Sequence, residues 1–365
     1  MSKRYGEQLR LAVDGGSHDE KISMALSGFP KGFHVDMDEL LRFMRRRAPG
    51  NAAYATKRKE PDIPVFLSGL DENGVTNGDE ICAVIYNTNQ HSSDYSSLRD
   101  TPRPSHADYA AVMKYGDRVD LRGGGHFSGR LTAPYCIAGG ICMQYLLSRG
   151  IRVFAHAYEI AGVTDTPFDL AIVGDAEYGR LRTRVFPTLS EAAETAMLDA
   201  IEYARLDGDS VGGVVEVAVT GLPAGLGEHL FAGVEARVAS AVFAVPAVKG
   251  VEFGDGFAGT RLRGSEHNDA FVTDGKTVRT ETNRAGGILG GMTSGMPLIV
   301  RAAVKATPSI AKPQRSVSLS RMENVTVEIG GRHDPCIVPR AVPAIEAAVA
   351  VAVCDILLSE GNSDE

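Results

Sequence analysis

The chain has 365 residues, of which 44% are hydrophobic and 23% are charged, a composition typical of a folded globular protein rather than a disordered one. Its net charge of −8 argues against a general nucleic-acid binder, which normally carries a basic face. An anionic small molecule could still bind if basic residues gather locally. The five cysteines form no Cys-x-x-Cys pair, which is typical of reduced cytosolic thiols.

The hydrophobic pattern predicts helices and strands in chain order. The first helix is expected over residues 36–47, with Asp36 as the N-cap and Glu39 at the capping-box position. Further helices are predicted over residues 132–149, 190–206, 234–245 and 342–358, with Pro343 near the first turn of the last one. Strands are predicted over residues 63–70, 81–87, 151–157, 214–220, 298–305 and 325–329.

The order of these elements favours an α+β fold over a doubly wound sheet, because strands and helices mix without a regular βαβ rhythm. Average domain sizes would suggest two domains, but a single large domain is also permitted. There is no clear linker and no repeat of fixed period in the sequence.

The sequence also predicts the cellular compartment of the protein. Residues 1–20 lack the apolar core of a secretory signal. The longest apolar run, residues 342–358, is interrupted by Glu346 and Asp355, and we expect it to be too short and too charged to span a bilayer. These features predict a soluble, cytoplasmic protein that binds neither membrane nor nucleic acid.

Two local motifs that could suggest other chemistry are weak. Residues 254–259 match GxGxxG, but a dinucleotide-binding fold needs a helix directly afterwards, and the polar residues 260–269 do not predict one. His333, Asp334 and Cys336 could ligate a metal, but no second ligand pair at zinc spacing is visible. The sequence therefore predicts no metal site.

Three histidines lie in turns rich in glycine or proline with Arg or Asp nearby, namely His18, His106 and His126. One histidine in such a turn is more often structural than functional, but three together favour a site. The same setting is missing around five other histidines, to which we assign no role: His34, His91, His156, His229 and His267.

One dense basic stretch interrupts the acidic chain. Arg45, Arg46 and Arg47 end the first predicted helix, and three more basic residues follow at 57–59. A run of charges is usually a solvated surface. Arginine, however, matches phosphate and carboxylate oxygens with two parallel hydrogen bonds, so the stretch is also consistent with an anion pocket.

A dozen motifs follow one another along the chain, at residues 16–18, 45–50, 57–62, 94–96, 103–109, 114–116, 122–125, 208–213, 221–228, 247–254, 285–291 and 331–343. One such match would be weak. Together, and in this order, they resemble the chorismate synthase family over nearly the whole chain.

The resemblance implies a single domain over residues 1–365, with helices between antiparallel sheets in a β-α-β sandwich, assembled as a homotetramer. It implies a lyase that uses reduced FMN to eliminate phosphate from 5-enolpyruvylshikimate 3-phosphate. The product is chorismate, formed at the last common step of aromatic amino-acid biosynthesis. We expect NADPH to act only indirectly, through a separate flavin reductase, since no extra domain for flavin reduction is visible.

The resemblance also implies three catalytic residues. His18 would protonate or hydrogen-bond the leaving phosphate. His106 would protonate the reduced flavin or balance its charge, and Asp334 would help the flavin take up the ring proton. Imidazole suits the first two roles because it exchanges a proton near neutral pH.

Binding residues follow from the same resemblance. The substrate carries one phosphate and two carboxylates, and the candidates to hold it are Arg47, Arg130 and Arg340. Arg47 also matches a family position for a pyridine nucleotide. The candidate FMN set is His126, Phe127, Ser128, Pro246, Ala247, Gly290, Lys305, Ala306, Thr307, Pro308, Ser309 and Arg332.

Four positions depart from the common family pattern. His126 and Ala53 each replace an arginine, Pro246 replaces an asparagine, and Ser105 stands where glycine is usual. These departures leave open an alternative in which the chain binds FMN and anions without turnover. We prefer a divergent but active enzyme, because the three catalytic candidates and Arg332 are present.

Overall fold

The computed structural model describes residues 4–48, 61–87, 97–330 and 334–360. The strands are β1 (Arg4–Tyr5), β2 (Arg10–Asp14), β3 (Lys21–Ser27), β4 (Val65–Ser68), β5 (Ile81–Tyr86), β6 (Arg152–Ile160), β7 (Val163–Thr164), β8 (Gly213–Thr220), β9 (Val248–Phe253), β10 (Phe271–Thr273), β11 (Val278–Thr280), β12 (Ile288–Leu289), β13 (Met292–Thr293), β14 (Leu298–Val304), β15 (Gln314–Ser318) and β16 (Glu323–Val327). The helices are α1 (Met37–Arg47), α2 (Ser97–Asp100), α3 (Asp108–Tyr115), α4 (Thr132–Ser148), α5 (Asp175–Thr183), α6 (Glu191–Leu206), α7 (Val234–Phe243), α8 (Gly264–His267) and α9 (Val338–Glu360).

Two five-stranded antiparallel sheets carry the fold. The first has the strand order β1-β2-β3-β5-β4, and the second has the order β7-β6-β8-β14-β9. The remaining strands pair as three small hairpins, β10 with β11, β12 with β13 and β15 with β16. The predicted mixture of helix and sheet is confirmed.

Helices α4 and α9 form the centre of the hydrophobic core. Helix α4 contacts β2, β3 and β5 of the first sheet, β6 of the second sheet, and α9. Helix α9 contacts β6, β8 and β14 of the second sheet. A Cβ atom added to Gly139 of α4 would lie 2.2 Å from the Cβ of Ala347 of α9, so the two helices approach closely because this position has no side chain.

Local sequence signals explain several elements. The Asp36 side chain accepts a hydrogen bond from the backbone N–H of Glu39 at 2.9 Å, which confirms Asp36 as the N-cap of α1. The predicted helices over 132–149, 190–206 and 234–245 are confirmed within two residues at each end. The strands predicted over 81–87, 214–220 and 298–305 are confirmed within one residue.

Other boundaries differ from the prediction. The strand expected over 63–70 shortens to β4, and the one expected over 151–157 extends to Ile160 as β6. The strand expected over 325–329 begins two residues earlier as β16. Sequence analysis did not predict β2 and β3, although β3 alternates buried and less buried positions with the period of two that marks a strand.

Helix α9 corrects two expectations. It begins at Val338, so Pro343 lies in its second turn rather than its first. It has 23 residues, and its most apolar 18-residue window has a mean hydropathy of 2.1, so the expectation that this run is too short and too charged to span a bilayer was wrong by length and composition. However, 89% of its most apolar 18-residue window is buried inside the protein, as in a core helix.

The GxGxxG motif at residues 254–259 has no long helix after it. It follows β9 in an antiparallel sheet and leads through a 3₁₀ turn to the four-residue helix α8. The prediction that this motif does not mark a dinucleotide-binding fold is confirmed.

Candidate active site

A turn of three glycines brings two of the predicted catalytic histidines together. Gly123, Gly124 and Gly125 all adopt positive φ angles, of +61°, +127° and +51°. A Cβ added to Gly123 would lie 2.3 Å from Cε1 of His18, and one added to Gly124 would lie 3.6 Å from Nε2 of His106. Both imidazole rings therefore face the same stretch of backbone.

His18 is buried and held by its neighbour Ser17. The Ser17 hydroxyl donates to the carbonyl of Arg122 at 2.9 Å and lies 3.1 Å from Nδ1 of His18. Because its one proton is used on a carbonyl, the hydroxyl oxygen accepts from His18, which places the histidine proton on Nδ1. Only 7% of the surface of His18 is exposed. With Nδ1 bonded to Ser17, proton exchange with a ligand would involve Nε2.

His106 is bonded to a buried carboxylate. Its Nδ1 lies 2.6 Å from Oδ1 of Asp108, which also accepts hydrogen bonds from Arg103. Burial by itself would raise the pKa of Asp108, but the hydrogen bonds from Arg103 and His106 outweigh burial and hold the pKa well below its usual range. Asp108 is consequently charged at neutral pH.

Lys305 lies beside the turn that carries His106. Its Nζ donates to the carbonyl of Ser105 at 2.5 Å, and its backbone N–H donates to the carbonyl of Ala247 at 3.0 Å. Partial burial, and then the positive charge of Lys249, lower the pKa of Lys305. The structure thus brings three predicted residues, His106, Ala247 and Lys305, to one place, and half-buried Pro246 directly precedes Ala247.

The predicted cofactor segment 305–309 contains an unpaired buried hydroxyl. Thr307 Oγ1 is buried and has no hydrogen-bond partner among the described residues. The backbone on either side is fixed, because Ser210 donates to the Thr307 carbonyl at 2.7 Å and Gln314 donates to the Pro308 carbonyl at 3.3 Å. Buried polar atoms are normally satisfied, so this hydroxyl fits a ligand with polar atoms, such as a flavin nucleotide. Ala306 and Ser309 complete the segment.

Two of the predicted substrate arginines are buried around one carboxylate. Asp62 accepts a hydrogen bond from Nη1 of Arg47 and another from Nη1 of Arg130, and both guanidinium groups are almost fully buried. Arg47 also donates to Thr132 at 3.0 Å, and Arg130 donates to Asn87 at 3.0 Å. Burial, with repulsion from neighbouring arginines, lowers the pKa of Arg47 despite the attraction of Asp62. Among the described residues, Arg47 and Arg130 thus share the carboxylate of Asp62.

Arg340 joins the third catalytic candidate to this cluster. Its Nη1 donates to Asp334 at 2.9 Å, and its Nε donates to the backbone carbonyl of Arg47 at 3.2 Å. Arg332 and His333 lie outside the described residues, as do Ala53, His91 and the basic residues 57–59.

Asn87 connects the arginine cluster with the histidine turn. Its side chain accepts from Arg130 and donates to the carbonyl of Asp19 at 2.7 Å, next to His18. Ser128 lies between the arginine cluster and the histidine turn. Its hydroxyl accepts a hydrogen bond from the backbone N–H of Arg130 at 3.1 Å. A Cβ added to Gly124 would lie 3.4 Å from the Cβ of Ser128.

The two residues before Ser128 are more exposed. His126 Nδ1 lies 2.7 Å from the carbonyl of Gly15, so this ring fastens the Gly15 turn. Phe127 is 37% exposed.

Gly290 stands apart from the other cofactor candidates. It lies in the turn between β12 and β13. This region meets the start of β14, because Ile299 N donates a hydrogen bond to the carbonyl of Gly286 at 3.2 Å. Lys305 directly follows the last residue of β14. The seven extended residues of β14 span about 23 Å from one end of the strand to the other. The structure does not bring Gly290 beside Lys305 within one chain.

Sequence reasoning missed the residues that support the site. Arg103 and Asp108 stood in the same motif as His106, so the signal was visible in their spacing. Asp62 could not be found in this way, because its partners Arg47 and Arg130 lie 15 and 68 positions away in the chain.

Comparisons with known proteins point to one family. A family model described as chorismate synthase matches residues 9–358. The chorismate synthase of Thermococcus kodakarensis is 48% identical, with 97% of this chain and 97% of that protein covered. The one from Archaeoglobus fulgidus is 45% identical, with 98% and 97% covered. A solved structure named "Crystal Structure of Chorismate Synthase" matches with a TM-score of 0.76 and 26% identity, covering 97% of this chain and 93% of that chain.

Proposed function

The chain belongs to the chorismate synthase family, a family of lyases, and we propose that it eliminates phosphate from 5-enolpyruvylshikimate 3-phosphate with reduced FMN bound beside the substrate. The observation that carries this proposal is the glycine turn at residues 123–125, which faces both His18 and His106. The full-length relatives do not favour the alternative of a family member that binds without turnover.

His18 acts on the leaving phosphate. Its Nδ1–H donates to Ser17, so it is the doubly protonated ring that donates a proton or hydrogen bond from Nε2 to the departing oxygen. A donor placed where negative charge develops lowers the barrier to elimination. Arg47, Arg130 and Arg340 supply the positive field that draws in a substrate with three anionic groups, although Asp62 and Asp334 compensate part of that charge.

The cofactor contacts come from the turns around His106 and Lys305. Lys305 would neutralise the phosphate or the reduced ring, and Thr307 Oγ1 would gain its missing partner. When bound, reduced FMN supplies transient electron density that weakens the carbon–oxygen bond. His106 would hold or return a proton at Nε2. Asp334, which accepts a hydrogen bond from Arg340, would help the flavin take up the ring proton.

We extend the proposal to the whole molecule. Residues 1–365 form one domain, a β-α-β sandwich, because α4 contacts strands of both sheets. The assembly is a homotetramer in the cytoplasm, and a neighbouring subunit would allow Gly290 to reach a cofactor that Lys305 holds. Reduced flavin comes from a separate reductase, with NADPH acting only through that enzyme.

An anaerobic assay tests this function. The purified protein is mixed with substrate and dithionite-reduced FMN, and we expect chorismate absorbance and equimolar phosphate. The same mixture with oxidised FMN is the control and should give neither product. Flavin binding without product under reducing conditions would replace our proposal with the non-catalytic alternative. Consumption of NADPH without an added reductase would contradict the proposed separate reductase.

A further inference from the structure

The carboxylate of Asp108 is surrounded by donors. Its Oδ2 accepts from the backbone N–H of Arg103 at 3.0 Å and from Arg103 Nε at 2.7 Å. Its Oδ1 accepts from Arg103 Nη2 at 2.8 Å and faces His106 Nδ1 at 2.6 Å. Asp108 is fully buried at the first position of α3, and the His106 side chain is 16% exposed.

These contacts fix the hydrogen on one atom of the imidazole ring. An ionised carboxylate only accepts hydrogen bonds, and arginine only donates them. Nδ1 of His106 must therefore donate to Asp108. Arg103 Nη2 also lies 3.1 Å from Nδ1, but both atoms are donors, so this approach adds no hydrogen bond. The neutral ring then carries its lone pair on Nε2, the atom that faces Gly124.

We propose that Asp108, oriented by Arg103, is a positioning residue that holds His106 in the Nδ1–H tautomer and so presents Nε2 to the cofactor side of the site. The expected effect of this tautomer on catalysis rests on the proposed function. Its structural content, the tautomer of His106, does not depend on turnover.

The substitution Asp108→Asn tests the proposal with little change in shape. Oδ2 receives two Arg103 donors and Oδ1 receives only one, while His106 can change its tautomer, so the amide oxygen takes the Oδ2 position. The NH₂ group then faces His106 Nδ1, and the hydrogen bond from Arg103 Nη2 is lost. Nδ1 must then accept, and the proton moves to Nε2. We expect the turnover number to fall by ~10²–10⁴-fold, the usual range for an acid–base group.

The tautomer of His106 is the decisive measurement, because it would stay unchanged if Asp108 had a merely structural role. In protein labelled with ¹⁵N-histidine, the His106 signals are assigned by their loss in His106→Gln. The neutral wild-type ring should show Nδ1 protonated, and Asp108→Asn should show Nε2 protonated. Wild-type protein with Nε2 protonated would overturn the proposal, and this measurement stands even if Asp108→Asn fails to fold.

Two controls separate positioning from general damage. Asp117→Asn removes an exposed carboxylate that pairs with Arg99 at 2.5 Å, and it should leave turnover and the His106 signals unchanged. In a His106→Ala background, Asp108→Asn should lower turnover no further. An additional large loss there would show that Asp108 acts independently of His106. Wild-type protein with the expected tautomer but no chorismate formation would contradict the proposed function and leave the tautomer assignment intact.

Discussion

Gly123 determines the position of His18, because there is no space for a side chain between them. Its φ of +61° lies in the region that favours glycine, and a Cβ there would be 2.7 Å from His18 Nδ1 and 2.9 Å from Ser17 Oγ. The proposed catalytic histidine is therefore placed by the backbone of a turn more than a hundred positions later in the chain.

We expect Gly123→Ala to lower turnover by about 10²-fold or more, since a displacement of about 1 Å at the reacting group can have that effect. Steady-state turnover with reduced FMN measures it. Gly264→Ala is the matched control, because a Cβ at Gly264 meets nothing within 4 Å. Unchanged turnover in Gly123→Ala would show that His18 does not act from this position.

Two departures from the common family pattern have local explanations. Ser105 adopts a φ of +57°, a conformation that costs a non-glycine residue roughly 1–2 kcal/mol, which explains why glycine is usual at this position. His126 bonds to the carbonyl of Gly15, so the residue that replaces arginine still has a structural contact. The structure offers no comparable explanation for Pro246.

A row of alternating charges crosses four strands of the second sheet. His156 of β6 lies opposite Glu216 of β8, which lies opposite Arg301 of β14, which lies opposite Glu252 of β9. Asp165 continues the row on the other side of His156, with Oδ2 2.8 Å from Nδ1. His156 has no exposed surface, and sequence analysis, which assigned it no role, could not see this structural one.

His156 is bonded through both ring nitrogens to carboxylates, with Glu216 2.9 Å from Nε2, an arrangement that requires the protonated ring. Burial alone would lower the pKa of His156, but the bonds to Asp165 and Glu216 outweigh burial and raise the pKa. Because the pKa is raised in the folded state, this stabilisation is complete below the unfolded value near ~6.5. It is lost as the pH rises through the folded value.

We expect His156→Gln to lower the free energy of unfolding by about 3–5 kcal/mol at pH 6, because buried Asp165 and Glu216 lose the cation that they share, although Glu216 keeps Arg301. The difference from wild type should shrink as the pH rises through the raised pKa. Urea midpoints between pH 6 and 10 measure both effects. The exposed His34→Gln is the control, and a difference that does not change with pH would argue against a buried imidazolium.

At the scale of the whole molecule, contact between α4 and α9 joins the two sheets. Helix α9 is buried at nearly every position from Val338 to Ile356, including Glu346 and Asp355. Those carboxylates are paired with Arg46 and Arg237 at 2.7 Å each. An apolar helix with two buried charges is stable in this core because each charge has a partner on another helix.

Gly139→Ala should lower the free energy of unfolding by about 1–3 kcal/mol, because the added Cβ would overlap Ala347 and force the helices apart. A lower urea midpoint measures this effect. Gly179→Ala in α5 is the control, since a Cβ there meets nothing within 4 Å. An unchanged midpoint for Gly139→Ala would mean that the helix contact relaxes easily.

Helices could be predicted from the sequence where capping residues and the hydrophobic pattern of neighbouring residues indicate the same element. The cap at Asp36 and the long apolar run of α4 depend on neighbouring residues alone, and both were confirmed. The short strands β1, β12 and β13 have two residues each, too few for any periodic pattern to show. The start of α9 was missed because the residues between its start at Val338 and Val342 include Pro339 and Arg340.

The sequence by itself determined the family and named the candidate residues of the site, because short motifs along the chain are enough for both. Only the tertiary structure decided which carboxylates hold those residues. It placed Asp62 between two arginines and Asp108 behind His106, and it left Gly290 at the far end of β14. The physical reason is that buried charge needs a partner in space, and proximity in space is set by how the sheets and helices pack rather than by spacing along the chain.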